Sequence, residues 1–247
     1  MKTIAVYSNK GGVGKTAAAV NLSYLYAQTG AKTLICDLDP QSSATFYFRV
    51  KPKLKSNSKG FLKGGKKVHN SIKGTDYENL DLLPADFSHR RLDIEFNQLK
   101  PDNNHLEKFL RSFRGEYDII VLDCPASIST LAENILNTVD YTLVPLIPTT
   151  LSLRTYLQLL AFCKKKHIDT GRIFPFFSMV DRRKKLHHVL MTKVTTKLGG
   201  VLTCDIPYLS MIEQMGVYRE PVAAFSPEST ASKAYQRLWD NLQNKMK

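Results

Sequence analysis

Short apolar runs rich in β-branched residues recur along the chain and predict buried strands. They cover residues 3–8 (TIAVYS), 32–37 (KTLICD), 117–123 (YDIIVLD), 141–147 (YTLVPLI) and 173–180. These runs are apolar almost throughout, which is typical of strands that are buried on both faces of a sheet. We therefore expect a parallel sheet that is covered on both sides.

Segments with the helical spacing of apolar positions separate and follow these strands. The predicted helices cover residues 14–29, 128–137, 151–166, 185–198 and 228–245. Gly30 suits the end of the first of them. Strands that alternate with helices are typical of an α/β fold. We predict one doubly wound α/β domain over residues 1–247, with a single mostly parallel sheet, helices on both faces and no internal repeats.

One segment, at about residues 51–74, departs from this pattern. Between Arg49 and Thr75 there is no acidic residue, but lysines stand at positions 51, 53, 55, 59, 63, 66, 67 and 73 among Gly, Ser and Asn. This composition predicts an exposed loop. A solvated loop without a binding role and a contact with a polyanion or a partner protein are equally open interpretations.

The charge of the whole chain narrows the range of partners. Its 35 Lys and Arg against 22 Asp and Glu give a formal net charge of +13, with a pI of about 9.5. A surface of this kind attracts nucleic acid or an anionic membrane. A generally solvated basic surface is the alternative interpretation.

The cysteines and the apolar runs bear on the compartment. Cys36, Cys124, Cys163 and Cys204 lie far apart and form no CxxC pair, which argues against a disulfide framework or a zinc site. No apolar run approaches the roughly 20 residues of a membrane span, and the chain reaches a glycine loop before a signal peptide could form. We expect an intracellular protein in a reducing environment.

Residues 8–16 (SNKGGVGKT) carry the clearest chemistry, because they lie between a predicted strand and a predicted helix. Glycines let successive backbone N–H groups converge on phosphate oxygens, and the helix that opens at Gly14 directs its dipole at the same anion. Lys15 is expected to reach the β- and γ-phosphates of a nucleotide, and the Thr16 hydroxyl to bind Mg²⁺. The predicted ATP contacts in this segment are Lys10, Gly11, Gly12, Val13, Gly14, Lys15, Thr16 and Ala17.

A second lysine, Lys10, stands at the start of this loop. The order Lys-Gly-Gly-Val-Gly-Lys-Thr resembles the ParA/MinD family of deviant Walker A ATPases, and further motifs extend the resemblance over nearly the whole chain. The resemblance implies a homodimer that sandwiches two Mg-ATP molecules. In such a dimer Lys10 acts in trans, so that Lys10, Lys15 and Asp39 are the expected catalytic residues.

Aspartates follow two of the predicted strands. Asp37 and Asp39 lie in the sequence DLDPQ, and Asp123 ends an apolar strand. Carboxylates at the ends of parallel strands lie on the functional edge of a sheet. The resemblance implies that Asp39 orients or activates the attacking water, that Asp37 lies near the metal, and that Thr16, Asp39 and Asp123 are the metal-binding residues. A turn-forming Asp-Pro sequence is the alternative for Asp37 and Asp39.

Three further segments resemble parts of the family's nucleotide site. Residues 125–127 (PAS) resemble its switch II, although Ala126 stands where members often have a second proline. Residues 178–183 and 205–207 resemble the strand and loop on the adenine side. The ATP contacts that this resemblance implies are Met179, Asp181 and Pro207.

The resemblance is closest to the ParA branch, whose ATP-bound dimers bind DNA without sequence preference. Basic residues before and along the helix at 185–198 suit contacts with the phosphate backbone. The predicted DNA contacts are Arg182, Arg183, Lys184, Lys185, Lys193, Lys197 and Arg219. Many partition proteins have arginines where this chain has Tyr208, Leu209 and Met211, so the DNA face has moved toward 182–197 or binding is weaker. Solvated helix charge is the alternative for each residue.

Two other branches of the family have weaker support. A MinD-like protein binds a membrane through a basic amphipathic C-terminal helix, but the apolar stripe within residues 231–246 is more typical of core packing. Metabolic or metal-delivery chemistry would require substrate-binding residues or clustered cysteines.

We therefore predict a slow ATPase of the ParA type that uses ATP and Mg²⁺. Its predicted partners are a second copy of the chain in the ATP state, non-specific DNA, and a ParB-like or cargo-adaptor protein that stimulates hydrolysis. The predicted location is cytoplasmic and nucleoid-associated. The cargo, whether a plasmid, a chromosome or a protein assembly, does not follow from the sequence.

Overall fold

Eight strands form one sheet in the part of the chain that the computed structural model describes, residues 1–51, 66–85 and 105–247. The strands are β1 (Lys2–Val6), β2 (Thr33–Asp37), β3 (Lys73–Gly74), β4 (Leu80–Leu83), β5 (Ile119–Asp123), β6 (Tyr141–Leu146), β7 (Ile173–Val180) and β8 (Asp205–Pro207). Their order is β3-β4-β2-β5-β1-β6-β7-β8. All neighbours are parallel except β3 and β4, so the mostly parallel sheet is confirmed.

The helices lie between and after these strands. They are α1 (Lys15–Gln28), α2 (Ser43–Tyr47), α3 (Lys66–His69), α4 (His105–Arg111), α5 (Thr130–Thr138), α6 (Thr150–Lys165), α7 (Lys185–Lys197), α8 (Ser210–Glu213), α9 (Met215–Tyr218), α10 (Val222–Phe225) and α11 (Thr230–Met246). Side-chain N-caps begin three of the longer ones, because the hydroxyls of Ser129, Thr149 and Ser229 accept first-turn N–H groups of α5, α6 and α11. These caps explain where the helices start.

Helices cover both faces of the sheet, as the apolar strands predict. Side chains alternate along a strand, so Ala5 of β1 packs on one face while Ile4 and Val6 pack on the other. The first face is covered by α4, α5, α6 and α7. The second is covered by α1, α2 and α11. The doubly wound α/β architecture is therefore confirmed.

The C-terminal helix α11 belongs to the core of the second face. Ala234, Leu238 and Leu242 are fully buried, and the hydroxyl of Tyr26 in α1 donates to the Met246 sulfur at 3.0 Å. Core packing rather than a free amphipathic anchor is thus confirmed for this helix. Among the described residues, no helix is long and apolar enough to cross a membrane.

The lysine-rich segment differs in part from its prediction. Residues 66–74 contain the short helix α3 and the edge strand β3, which pairs antiparallel with β4, so this part is not simply a loop. Residues 52–65, with four of its eight lysines, lie outside the described residues. The cysteines at positions 36, 124, 163 and 204 are all buried with free thiols.

Candidate nucleotide-binding site

The glycine loop connects the end of β1 to the start of α1, as the sequence predicts. Gly12 and Gly14 adopt positive φ angles of 66° and 90°, and Gly14 is the N-cap of α1. Val13 between them is fully buried and anchors the loop in the protein. The loop therefore presents its backbone, and the positive end of a helix dipole, at the carboxyl edge of the sheet.

Gly14→Ala is expected to weaken ATP binding and to lower stability by about 1–2 kcal/mol, since a Cβ at positive φ is strained. The new Cβ would also lie 2.9 Å from the Ser178 Oγ. Calorimetric titration with ATP and thermal melting measure both effects. Gly199→Ala is the matched control, because a Cβ there has no heavy atom within 4 Å. Equal ATP affinity in wild type and Gly14→Ala would contradict the role of this loop.

The ammonium group of Lys15 places a positive charge inside the loop. Lys15 is only 7% exposed, and its Nζ donates a hydrogen bond to the Lys10 carbonyl oxygen at 3.3 Å. Burial lowers the pKa of Lys15, while the carboxylates of Asp123 and Asp39 act in the opposite direction. An ammonium group with so little access to water is stabilised when an anion pairs with it. Lys15 is therefore suited to binding a phosphate.

Asp123 ends β5 beside this lysine. Its register partner on β2 is Asp37, so the two carboxylates lie at the same edge of the sheet. Burial, and then repulsion from Asp37, raise the pKa of Asp123 well above its ordinary value, and the adjacent Thr16 hydroxyl and Lys15 only partly offset this. Neither carboxylate oxygen meets the geometry of a hydrogen bond with any described residue.

The unpaired oxygens of Asp123 fit the predicted magnesium site. A buried carboxylate without partners is costly, and a hydrated Mg²⁺ supplies the donors and the positive charge that it lacks. The described residues contain no cluster of three or more His, Cys, Asp or Glu that could hold a metal ion. Mg²⁺ does not require such a cluster, because proteins bind it with one or two side chains together with water and substrate phosphates.

Asp37 is committed to holding the segment that follows it. Its carboxylate accepts hydrogen bonds from the Thr45 N–H at 2.8 Å, the Thr45 hydroxyl at 2.7 Å and the Asp39 N–H at 3.2 Å. Burial raises the pKa of Asp37 to about 6, and the hydrogen bonds from Thr45 oppose this shift. Asp37 therefore lies at the same edge as Asp123, and its described contacts fix the turn and α2.

Asp39 lies in the turn between β2 and α2. Its Oδ1 accepts a hydrogen bond from the Gln41 N–H at 2.9 Å, and its carbonyl accepts one from the Ser42 N–H at 2.9 Å. The alternative of a turn-forming role is thus met in this structure. The charge of the same carboxylate acts to raise the pKa of Lys15 in the phosphate loop.

The predicted adenine-side residues are only partly brought together. Gly14, Ala17, Met179 and Pro207 line one cleft beside the loop. Asp181 lines a neighbouring cleft instead, where Arg183 binds its carboxylate at 2.9 Å and lowers the pKa of Asp181 to about 2. Asp181 therefore does not line the cleft beside the phosphate loop that Met179 and Pro207 line.

Several residues of the site were not predicted as such. The cleft with Met179 is also lined by Ser178, Tyr208, Leu209 and Ile212. A signal existed for Ser178, since it is a polar residue near the end of an otherwise apolar strand. Thr45 had no such signal, because its partner Asp37 lies eight residues away across a turn.

The predicted DNA contacts fall into separate groups. Arg182 pairs with Asp205 at 3.4 Å, while Arg183 and Lys184 both face Asp181. The lysines of α7, namely Lys185, Lys193 and Lys197, are exposed along one helix.

Arg219 packs against α2, the helix that follows the Asp39 turn, which we call the switch helix. Its Nε donates to the Phe46 carbonyl oxygen at 3.0 Å, and its guanidinium lies 4.6 Å from the Phe46 ring centroid. The described contacts of Arg219 are therefore with α2, and its role as a DNA contact stays a prediction.

Comparisons with known proteins agree with this geometry. Residues 1–171 match AAA_31, described as an AAA domain. The chromosome-partitioning ATPase Soj of Treponema pallidum (strain Nichols) is 28% identical over 244 residues, which cover 96% of this chain and 95% of that protein. The sporulation initiation inhibitor protein Soj of Bacillus subtilis (strain 168) is 29% identical over 243 residues, which cover 96% of each.

A solved structure shares the fold along the whole chain. Cobyrinic acid a,c-diamide synthase from Mycobacterium smegmatis, with bound ATP analogue and magnesium, superimposes with a TM-score of 0.82 at 24% identity, covering 100% of this chain and 96% of that one. This similarity establishes the fold alone. Because the family match spans more than half of the sequence and the Soj relatives align along nearly all of it, this chain belongs to the ParA/MinD-type AAA_31 family of ATPases.

Proposed function

We propose that this chain is an ATP-dependent dimerising ATPase that binds DNA without sequence preference in its ATP state and positions or segregates a cargo. The observation that carries the proposal is the convergence of Lys15, Asp123 and the Asp39 turn at one edge of the sheet. A buried cation and an unpaired buried carboxylate side by side suit a magnesium nucleotide. The chromosome-partitioning ATPase Soj of Treponema pallidum, to which the chain is similar along nearly its whole length, supports the partition role.

In this proposal each residue of the edge has one task in ATP hydrolysis. Lys15 and the loop N–H groups hold the β- and γ-phosphates, and Asp39 orients the water that attacks the γ-phosphate. Thr16 and Asp123 would hold Mg²⁺, with Asp39 near it, and the ion would neutralise charge on the phosphates. ATP and Mg²⁺ are also the ligands named for the M. smegmatis structure, as an analogue in the case of ATP.

The dimer in the proposal places Lys10 on the phosphates of the second subunit. Gly11 and Gly12 are exposed, and Lys10 is partly exposed, so this part of the loop is open to an approaching protomer. Intrinsic turnover is slow in this scheme, because positioning requires that a partner protein control when hydrolysis releases the DNA. A ParB-like or cargo-adaptor protein would supply that control.

The exposed lysines of α7 support DNA as the polyanion. Lys193 and Lys197 lie one helical turn apart, and Thr192 and Thr196 beside them are also exposed. Such residues suit contacts with phosphate oxygens, which carry no sequence information. The buried face of α11 disfavours the MinD-like alternative of membrane binding through the C-terminal helix.

The test is binding to a non-specific DNA duplex with ATP, ADP or no nucleotide over a range of salt. We expect tight binding only with ATP, and a steep loss of affinity with salt as counterions return to the DNA. The double variant Lys193→Glu, Lys197→Glu should weaken binding and reduce the slope of log K against log salt by about 2, or about one for each lost phosphate contact.

Lys164→Glu, Lys165→Glu is the matched control, since these exposed lysines of α6 change the net charge by the same amount. It should retain most of the affinity, and all variants should bind ATP equally. Equal losses in the two double variants would show that only net charge matters and that α7 is not the DNA face. If the protein binds no DNA in any nucleotide state, the proposal of DNA binding is wrong, and binding to anionic liposomes is the next measurement.

A further inference from the structure

Two arginines have unusual backbone conformations, one just after the switch helix α2 and the other at the end of α9. Arg49 follows α2 closely with a φ of 58°, and Arg219 ends α9 with a φ of 55°. Side chains other than glycine rarely adopt this left-handed conformation and keep it only where surrounding contacts enforce it. Both arginines are therefore held by their contacts.

The contacts of Arg49 join α2 to two other segments. One guanidinium nitrogen donates to the Asp76 carboxylate at 3.0 Å, between β3 and β4. The other donates to the Tyr218 carbonyl oxygen at 3.0 Å and to the Glu220 carboxylate. Arg49 thus extends from the end of the switch helix to the turn at residues 218–220.

Arg219 extends in the opposite direction. Its hydrogen bond to the Phe46 carbonyl oxygen satisfies an acceptor near the end of α2, and its guanidinium lies over the Phe46 ring. Each arginine therefore binds the segment that carries the other one. We call this pair, Arg49 with Arg219, the arginine clamp.

Backbone hydrogen bonds connect the clamp to Asp39. The Phe46 N–H donates to the Ser42 carbonyl at 2.9 Å, and the Ser42 N–H donates to the Asp39 carbonyl at 2.9 Å. A shift of α2 would therefore move the turn that carries Asp39. The Thr45 contacts with Asp37 fix the other side of the same helix.

The turn at residues 218–220, which Arg49 connects to α2, is itself held against α1, the helix that follows the phosphate loop. The Asn21 side chain in α1 donates to the Met215 sulfur at 3.3 Å and accepts from the Val222 N–H at 2.8 Å. Upstream, Leu209 and Ile212 line the adenine-side cleft. The segment from 209 to 222 thus connects the nucleotide site with the switch helix.

We infer that Arg49 and Arg219 are positioning residues, which hold α2 and the Asp39 turn in the geometry that hydrolysis requires. This inference deepens the proposed function and rests on it for the role of Asp39. The clamp is exposed to solvent, with the Arg49 side chain 41% accessible, and exposed ion pairs contribute little to folding stability. Its effect is therefore on geometry more than on the stability of the fold.

The experiment compares ATP hydrolysis by wild type and Arg219→Gly without DNA, and the DNA affinity of the two proteins is measured separately. Glycine removes the side chain and accepts the positive φ without strain. We expect kcat for ATP to fall about tenfold or more, because small displacements of catalytic groups are costly, while the Kd for ATP stays within about twofold. Amide hydrogen exchange at Phe46 and Phe48 should become faster, since α2 opens more readily.

Two further variants separate positioning from other effects. His167→Gly is the matched control, because His167 also has a positive φ, of 55°, but lies beyond α6. It should leave kcat and the exchange of α2 unchanged. Arg49→Gly should reproduce the effect of Arg219→Gly, and the double variant should lose little more, since both arginines hold one segment.

The outcomes are distinct. Unchanged kcat in Arg219→Gly would overturn the inference, and a reduced DNA affinity of the same variant would restore Arg219 as a DNA contact. Unchanged exchange at Phe46 and Phe48 would overturn it in any case. Faster exchange in a chain whose wild type does not hydrolyse ATP would support the clamp and refute the proposed function instead.

Discussion

Lys15→Ala is expected to abolish the ATP-dependent dimer. The variant removes the buried ammonium that lies beside Asp123 and Asp39, so phosphates would approach two carboxylates without the cation that balances them. We expect the Kd for ATP to rise about 100-fold, since charge-assisted hydrogen bonds are worth up to about 3 kcal/mol and each 1.4 kcal/mol is a factor of ten. Calorimetric titration gives the affinity, and light scattering with ATP gives the mass.

Lys10→Ala is the informative comparison for this prediction. If Lys10 acts only across the dimer, this variant should bind ATP as a monomer but fail to dimerise. Far-UV circular dichroism should show an unchanged fold in both variants. A normal dimer of Lys15→Ala with ATP would refute the phosphate-loop account, whereas equal loss of ATP affinity in both variants would place Lys10 in its own subunit's site.

Much of the fold follows from the pattern of apolar positions. The runs at 32–37 and 117–123 are apolar on both faces, so helices must cover both sides of the sheet. The strand β4 at Leu80–Leu83 does not follow from that pattern, because it is short and Asp81 interrupts its apolar run. Its pairing with β2 and the hydrogen bond from the Tyr117 hydroxyl to Asp81 at 2.7 Å depend on distant parts of the chain.

The site follows from the sequence where its residues share a local rule. Strand ends meet at one edge of a parallel sheet, so the sequence predicts that Asp37 and Asp123 lie at the same functional edge. That they are register partners on neighbouring strands follows only from the structure. The direction of individual side chains depends on contacts made across the fold. Arg219 illustrates this, because its partner Phe46 lies 173 residues earlier in the chain and nothing local to Arg219 indicates it.

Asp37 and Asp39 make different contacts, and this difference decides which of the two can act on the attacking water. Asp37 is fully buried and accepts hydrogen bonds from Thr45 and Asp39, so its described contacts hold the switch turn. Asp39 is more accessible, and its carboxylate accepts one described hydrogen bond, from the local Gln41 N–H to Oδ1. A carboxylate that must meet a water and a metal needs this accessibility, which makes Asp39 the better candidate of the two for the attacking water.

Asp39→Ala is therefore expected to bind ATP and dimerise but to lose hydrolysis. Positioned general bases contribute about 10²–10⁴ to rate, so kcat should fall at least about 100-fold while the Kd for ATP changes by less than about threefold. Phosphate release under single-turnover conditions measures the first quantity, and calorimetry the second. The exposed Asp240 of α11 supplies the control, because Asp240→Ala removes the same charge outside the site and should keep wild-type turnover.

The rate at which the protein dissociates from DNA then separates the role of ATP binding from the role of ATP hydrolysis. If binding of ATP creates the DNA-binding dimer and hydrolysis dissolves it, Asp39→Ala must remain on DNA after wild type has dissociated from it. A variant that loses turnover and also leaves DNA at the wild-type rate would show that release does not depend on hydrolysis. Wild-type turnover in Asp39→Ala would instead remove this carboxylate from the reaction and leave the turn-forming role as its function.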